Sequence, residues 1–264
     1  MTTASAQNAL AQSFKSLHQP GNPLILTNVW DAITANAVAS LPTTKALATA
    51  SYAIAAAAGL ADEDLTLEVN LRAVNAIAKV AQKHALPLTV DFQDGFGAQL
   101  EDGVKKVIEA GAVGINLEDF SREKNGLYDI DEAVSRIRKV LSVASSLGVA
   151  DFVVNARTDA LFAGQHLDEA ITRGKAYLAA GATTVFIWGG PTRKGWSREE
   201  VERAAKELDG KLNVILVRMR GDGLSVEELR KIGVARISVG PQLMMRTVGA
   251  VGEEARRILE GEGV

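Results

Sequence analysis

The chain has 264 residues, of which 47% are hydrophobic and 23% are charged, and it contains no cysteine. This composition suits a well-buried core and excludes a disordered chain, a collagen-like repeat and a disulfide scaffold. Lys and Arg total 29 against 32 Asp and Glu, and the net charge of -3 argues against a nucleic-acid partner. With three histidines and no cysteine, any bound metal is expected to have oxygen ligands.

The sequence shows no sign of a membrane anchor or a signal peptide. No apolar run is long enough to span a bilayer, and residues 1–10 lack a basic region leading into a hydrophobic one. We therefore expect a cytoplasmic protein with no membrane partner.

Eight short apolar runs recur along the chain, each followed by a longer stretch with apolar residues at helical spacing. The runs cover residues 24–30, 46–51, 88–92, 113–118, 152–157, 183–188, 213–218 and 236–240. Apolar strands alternating with amphipathic helices predict a parallel sheet that is buried on both faces. Eight repeats in about 250 residues suit a closed (β/α)₈ TIM barrel, with a doubly wound open sheet as the alternative.

The segments between the runs support this interpretation. In residues 131–147, Val134, Ile137 and Leu141 share one apolar face, which predicts a helix packed on the sheet. A further helix over about residues 7–18 precedes the first strand, so we expect one barrel domain over residues 1–264 with residues 1–22 as an N-terminal extension. Glycines are expected to end helices in the left-handed conformation just before four of the strands, at Gly111, Gly148, Gly181 and Gly233.

Polar residues end the first five predicted strands, and in such a barrel the active site forms at the carboxyl ends of the strands. These residues are Asn28, Trp30, Asp31, Ser51, Asp91, Gln93, Asp94, Asn116, Glu118, Asp119, Asn155, Arg157 and Asp159. Neighbouring strands lie about 4.8 Å apart, so Asp91 and Glu118 would bring two negative charges together. Such a pair requires a proton or a cation, and oxygen ligands favour Mg²⁺. Arg157, one strand further on, is placed to bind a substrate carboxylate.

Structural roles are the alternative for each of these residues taken alone. A carboxylate at the end of a strand often caps the following helix, and Asp91 with the glycines after it could form only a turn. Arg157 could equally pair with Asp159 or with the end of a helix. The combination on consecutive strands is harder to explain by structure alone.

Eight segments carry a resemblance to a known family. In chain order they are LILTNVWDAITANAVA, ATASYAIAAAAGLAD, LTVDFQDGFG, GAVGINLEDF, VNARTDA, GATTVFIWGG, NVILV and GVARISVGPQL. By their order and spacing from about residue 24 to residue 259, the chain resembles the isocitrate lyase and phosphoenolpyruvate mutase superfamily. The resemblance implies a TIM barrel, a homotetramer that exchanges its C-terminal helix between subunits, and action on α-keto or 2-hydroxy acids through a Mg²⁺-stabilised enolate.

The resemblance also implies roles for individual residues. Asp91 and Glu118 match the family's metal shell, with Gln93 at the position of its second aspartate, and Mn²⁺ is an alternative to Mg²⁺. The expected substrate-binding residues are Trp30, Asp31, Ser51, Tyr52, Arg157 and Trp188. The expected catalytic residues are Asp62, which matches an aspartate of mutase chemistry, and Lys124 and Asn125, which resemble the K-x-N segment of the lid in the mutase branch.

Three departures limit the expected chemistry. Gln93 is neutral where the family has an acid, and Asp94 either supplies that charge or caps a helix. The lid sequence FSREKNGLYD lacks the cysteine of the lyases, so neither isocitrate nor 2-methylisocitrate lyase activity is expected. Trp188 replaces a histidine that is frequent in the mutases.

These observations predict a Mg²⁺-dependent enzyme of the mutase-like branch. It would cleave or rearrange a C–C or P–C bond adjacent to an α-keto acid, with an oxaloacetate-like diacid as the preferred substrate class and phosphonopyruvate as a second. Arg218 and Arg220 either bind a second acidic group of the substrate or pair with Glu227 and Glu228. The alternative is a degenerate barrel of the same superfamily that has lost catalysis and serves as a binding or assembly protein.

Overall fold

Parallel strands close into a barrel in the computed structural model, which describes residues 3–190, 196–216 and 223–262. The strands are β1 (Leu24–Leu26), β2 (Asn28–Val29), β3 (Leu47–Thr49), β4 (Leu88–Asp91), β5 (Gly114–Glu118), β6 (Phe120–Ser121), β7 (Gly126–Leu127), β8 (Val153–Thr158), β9 (Thr184–Ile187), β10 (Leu212–Ile215) and β11 (Arg236–Ser238). β6 and β7 form a separate antiparallel hairpin. The other strands pair in parallel, in the order β1-β11-β10-β9-β8-β5-β4-β3-β2.

The first predicted strand closes the barrel. β1 and β2 are two parts of it, separated by Thr27; β1 pairs with β11 and β2 pairs with β3. Both neighbours of this segment are therefore occupied, which confirms the (β/α)₈ barrel and excludes the open sheet. All eight apolar runs contain a strand, because strands that are buried on both faces need continuous apolar sequence.

Helices follow the strands and cover the outside of the barrel. They are α1 (Ala4–Ser16), α2 (Ala32–Ala39), α3 (Ser51–Ala57), α4 (Leu67–Lys83), α5 (Leu100–Glu109), α6 (Ile130–Ser146), α7 (Leu167–Ala179), α8 (Arg198–Glu207), α9 (Val226–Ile232) and α10 (Gln242–Leu259). α1 begins three residues earlier than predicted because the Thr3 side chain accepts a hydrogen bond from the Ala6 amide and caps the helix. The four glycines predicted to end helices all have positive φ, between 80° and 106°.

The amino end of the barrel is closed by α1. Phe14 is fully buried beside Gly114 of β5, where a Cβ would lie 2.8 Å from the Val153 carbonyl oxygen and 3.1 Å from the Phe14 ring, so only glycine fits there. The Gln7 side chain donates to the carbonyl oxygens of Ile108 and Ala112, at 2.8 and 2.9 Å, and ties the helix to the loop that leads into β5. The carboxyl ends of the strands, where the candidate residues lie, form the opposite end.

A row of polar side chains crosses four neighbouring strands. Asp91, Asn116, Asn155 and Thr184 are consecutive partners in the strand register. Asn116 Nδ2 donates to Asp91 Oδ1 (3.0 Å), Asn155 Nδ2 to Asn116 Oδ1 (2.8 Å) and Thr184 Oγ1 to Asn155 Oδ1 (2.6 Å). Because each buried polar group has a partner, the row fixes Asp91 without the cost of an unsatisfied amide.

The last helix contributes no buried residue to the barrel. α10 exposes Met245, Val248, Val251 and Ile258, each by 41% or more. Exchange of this helix between subunits is an expectation that the single chain does not show. No helix within the described ranges is long and apolar enough to cross a membrane.

Candidate active site

Asp91 ends β4 with both carboxylate oxygens held. Oδ2 accepts a hydrogen bond from the backbone amide of Ser51 at 2.9 Å, and Oδ1 accepts from Asn116. Its own amide donates to Thr49 Oγ1 at 2.8 Å. Ser51 is the first residue of α3, so the carboxylate of Asp91 lies against the positive end of that helix. The structure thus brings Ser51 and Asp91 together.

Arg157 joins two further acids at the ends of β5 and β8. Its Nη1 donates to Glu118 Oε1 at 2.7 Å, while Nε and Nη2 donate to the two oxygens of Asp159 at 2.7 and 3.2 Å. The guanidinium also lies over the Trp188 ring, 4.1 Å from its centroid. Arg157 therefore pairs with Asp159, which is the structural role considered for it in the sequence, and it also forms an ion pair with Glu118.

The mouth of the barrel is the end at which the carboxyl ends of the strands lie. Among the described residues there, acidic groups outnumber basic groups. The carboxyl groups are those of Asp62, Asp91, Glu118 and Asp159, and the guanidinium groups are those of Arg122 and Arg157. Burial raises the pKa of Glu118 well above its usual range; Arg157 opposes this effect and the neighbouring acids reinforce it. Burial likewise raises the pKa of Asp159 to about 6, against the opposing charge of Arg157. A cation or a proton at these acids would relieve the repulsion.

Gln93 contacts Asp62. Its Nε2 donates to the backbone oxygen of Asp62 at 3.0 Å and to Oδ1 at 2.9 Å. Its Oε1 is buried and has no hydrogen-bond partner in the structure. Burial raises the pKa of Asp62, and the charge of Asp91 adds to that effect. Gln93 thus positions Asp62 and still offers a free acceptor.

The residues of the mouth fit a water-rich Mg²⁺ site. No group of three or more His, Asp or Glu residues that could hold a metal ion occurs in the part of the chain that the structure describes. Mg²⁺, however, is usually bound by one or two carboxylates and keeps several water molecules. Asp91 and Glu118 offer two carboxylates, and Gln93 has a buried Oε1 without a hydrogen-bond partner.

The two lid residues predicted to be catalytic lie away from these acids. Lys124 Nζ donates to Glu132 Oε2 of α6 at 2.9 Å and stands over the Tyr128 ring. Asn125 occupies the turn between β6 and β7 with φ of +46°. The lid residue that reaches the mouth is Arg122, whose Nη2 lies 3.3 Å from Asp62 Oδ2. Arg122 was not among the residues predicted from the sequence, although its charge within FSREKNGLYD was a visible signal.

Two expected substrate-binding residues, Asp31 and Trp30, have other contacts, and a third, Tyr52, is exposed. Asp31 caps α2, where its carboxylate accepts from the Thr34 amide at 2.7 Å in a capping box. Trp30 is 8% exposed and packs in an apolar cluster with Ile54 and Leu65. Tyr52, the second residue of α3, is 45% exposed.

Two other acids near the strand ends have structural contacts. Asp94 accepts hydrogen bonds from the Phe96 amide and the Tyr128 hydroxyl, so it holds a turn and the base of the lid. The Asp119 side chain faces α7 on the outside of the barrel, where it accepts a hydrogen bond from the Tyr177 hydroxyl at 2.6 Å. Arg218 and Arg220 lie outside the described residues.

Comparisons with known proteins show the family to which the chain belongs. A family model described as phosphoenolpyruvate phosphomutase matches residues 14–259. Phosphonopyruvate hydrolase from Variovorax sp. (strain Pal2) is 30% identical over 211 residues, which cover 76% of this chain and 70% of the relative. A Burkholderia cenocepacia J2315 structure, provisionally described as a phosphonomutase, is 34% identical with a TM-score of 0.83 and covers 97% of this chain and 99% of its own.

A second solved structure adds a ligand to the comparison. Phosphonopyruvate hydrolase in complex with oxalate and Mg²⁺ is 26% identical, has a TM-score of 0.79 and matches 99% of this chain and 88% of its own. The family match spans all the barrel strands. The chain therefore belongs to the phosphoenolpyruvate phosphomutase family, within the isocitrate lyase and phosphoenolpyruvate mutase superfamily.

Proposed function

We propose that the chain is a Mg²⁺-dependent enzyme that cleaves or rearranges a C–C or P–C bond adjacent to an α-keto acid, through an enolate. The substrate would be oxaloacetate-like or phosphonopyruvate-like. The observation that carries this proposal is the ion-pair cluster of Arg157 with Glu118 and Asp159, which stands beside Asp91 at the carboxyl end of the barrel. A purely structural barrel has no need of such a charge excess in its mouth.

Asp91 and Glu118 would hold the metal, with Gln93 as a further oxygen donor. When bound, Mg²⁺ would polarise the keto oxygen of the substrate and stabilise the negative charge that develops there. Asp91 is already fixed by Asn116 and by the Ser51 amide, so its carboxylate needs little reorganisation to bind a cation.

Arg157 would bind the carboxylate of the substrate. Its three hydrogen bonds to Glu118 and Asp159 do not use all the N–H groups of the guanidinium, so donors remain for a second acid. The Trp188 ring covers one face of the guanidinium. Asp62, whose pKa is raised by burial, would hold or move a proton at the reacting carbon.

We also propose that the protein assembles as a homotetramer through α10. The helix exposes Val248 and Val251 by 61% and 63%, and an 18-residue amphipathic helix with no buried residue leaves its apolar stripe in water. A second copy of the chain would cover this stripe.

Release of pyruvate tests the proposed reaction. Oxaloacetate would give pyruvate and CO₂, and phosphonopyruvate with water would give pyruvate and phosphate. Rearrangement of phosphonopyruvate would instead give phosphoenolpyruvate, so coupled assays for pyruvate and for phosphoenolpyruvate are both needed. We expect turnover of at least one substrate that needs Mg²⁺ and falls about 100-fold in Asp91→Asn. Asp151→Asn, at the closed amino end of the barrel, is the matched control. Formation of pyruvate and of phosphoenolpyruvate no faster than with Asp91→Asn would contradict the proposal.

A further inference from the structure

The lid hairpin, residues 120–127, carries two cations that point to different partners. It begins two residues after Glu118, so it stands at the edge of the mouth. Lys124 is bound to Glu132 on α6, on the outside of the barrel. Arg122 instead donates through Nη1 to the backbone oxygen of Asp62 and through Nη2 to its carboxylate at 3.3 Å. Of these two lid cations, only Arg122 reaches the acids of the mouth.

The contact places Arg122 next to the substrate-binding groups. Asp62 interacts electrostatically with Asp91 and Arg157, and Ser51 contributes a hydrogen bond to it. A group bound to Asp62 is therefore at the border of the same cluster. Arg122 approaches it from the lid, whereas Arg157 approaches from the strand ends.

Little free energy is lost when the ion pair between Arg122 and Asp62 is broken. The two side chains are 27% and 31% exposed, and ion pairs of this exposure contribute little stability. Asp62 would also keep its position without Arg122, because Gln93 donates to both its backbone and its carboxylate. A ligand anion can thus take over the guanidinium at small cost.

We propose that Arg122 is a specificity-determining residue that binds the second anionic group of the substrate. This group is the carboxylate or phosphonate on the carbon next to the keto group. The inference rests on the proposed function, in which Arg157 binds the first carboxylate. A guanidinium suits the task because it binds a carboxylate or phosphonate through two parallel hydrogen bonds.

Calorimetric titration with two probes in the presence of Mg²⁺ tests this role. Oxalate mimics only the pyruvate enolate, whereas 3-sulfopyruvate carries an additional sulfonate at the position of the second anionic group. In Arg122→Gln we expect the Kd of 3-sulfopyruvate to rise about 10-fold or more, with the Kd of oxalate changed by less than about twofold. Arg122→Lys, which keeps the charge, is expected to recover part of the loss. Lys124→Gln removes an equal charge from the same hairpin and is expected to cause the smaller loss.

The outcomes separate this inference from the proposed function. Equal 3-sulfopyruvate affinity in the wild type and Arg122→Gln overturns the role of Arg122, even if both bind oxalate with Mg²⁺. A larger loss in Lys124→Gln than in Arg122→Gln also overturns it. Failure of the wild type to bind oxalate counts against the proposed function, while a selective loss of 3-sulfopyruvate in Arg122→Gln would still support the role of Arg122. If neither probe binds, both proposals fall.

Discussion

The Asp159 carboxylate accepts two hydrogen bonds from Arg157, from Nε at 2.7 Å and from Nη2 at 3.2 Å, and so fixes the plane of the guanidinium. Arg157 lies near the end of β8, and Asp159 is the first residue after that strand. Asp159 binds the edge of the guanidinium formed by Nε and Nη2. The remaining edge is therefore available to Glu118 and to a substrate acid.

Substitution Asp159→Asn is expected to weaken oxalate binding with Mg²⁺ by about 10-fold or more, because an amide N–H would face a guanidinium N–H. Calorimetry measures this change. Asp168→Asn, which removes the same charge from an exposed pair with Arg203 on α8, is the control and is expected to leave the affinity unchanged. Equal affinities in wild type and Asp159→Asn would show that ligand binding by Arg157 does not depend on its hydrogen bonds to Asp159.

A buried hydrogen-bond network on the outside of the barrel is expected to hold Asp159, and through it Arg157, in position. Asp119 accepts from the Tyr177 hydroxyl at 2.6 Å through Oδ2, and from the Asp159 amide at 2.8 Å through Oδ1. Tyr177→Phe should therefore lower the free energy of unfolding by about 1–2 kcal/mol and raise the Kd of oxalate by about threefold or more. Urea denaturation and calorimetry give the two values.

The chain offers a matched control for that prediction. Tyr128 is equally buried and donates to Asp94 at 3.1 Å, but Asp94 has no hydrogen bond to Asp159. Tyr128→Phe should cost a similar free energy of unfolding without changing oxalate affinity. If both variants change the affinity alike, the effect is general loosening and the network has no special link to Arg157.

His18 is expected to make the fold acid-sensitive. Its Nδ1 lies 2.9 Å from the Phe14 carbonyl oxygen, and burial, together with the charge of Arg236, lowers its pKa from 6.5 to about 3. The folded state thus prefers neutral His18, whereas the unfolded chain binds a proton below about pH 6.5. This contribution to stability is complete above pH 6.5 and is lost as the pH falls towards 3.

Urea denaturation at about pH 7.5 and about pH 5 measures this effect. Because His18 is half-buried, we expect it to account for only about 1 kcal/mol of the difference in the free energy of unfolding. His18→Gln should remove that part of the pH dependence. The assignment fails if the variant and the wild type lose the same free energy between the two pH values.

The exposed stripe of α10 gives a prediction about assembly. Replacing Val248 and Val251 by Glu should abolish the proposed homotetramer, because charges would be buried in the contact between copies. Light scattering on the wild type and the double variant measures the mass. A monomeric wild type would contradict the assembly.

The barrel was predictable from sequence because its signals are local. A strand such as β9 (Thr184–Ile187) is buried along its whole length, and its last three residues are apolar. The polar residues that end the strands follow such apolar segments directly. The opposite directions of Glu118 and Asp119 also follow from the alternation of side chains along a strand. These signals gave the correct fold and drew attention to Asp91, Glu118 and Arg157.

The contacts of the lid hairpin could not be predicted from the sequence in the same way. Arg122 and Lys124 are separated by one residue, and which of them contacts the mouth depends on the hairpin turn at Asn125 and on partners from α6 and the loop before α4. The contact between Gln93 and Asp62 joins residues that are 31 positions apart. Neither contact is encoded in a short pattern, so both required the three-dimensional structure.

The most direct test of the proposed enzyme is calorimetric titration of metal-free protein with oxalate, with and without Mg²⁺. We expect binding that requires Mg²⁺, is lost in Asp91→Ala and is retained in Asp151→Asn. Absence of binding at about millimolar oxalate with Mg²⁺ present, or binding that is equal in Asp91→Ala, would contradict the proposed function and favour a barrel that has lost catalysis.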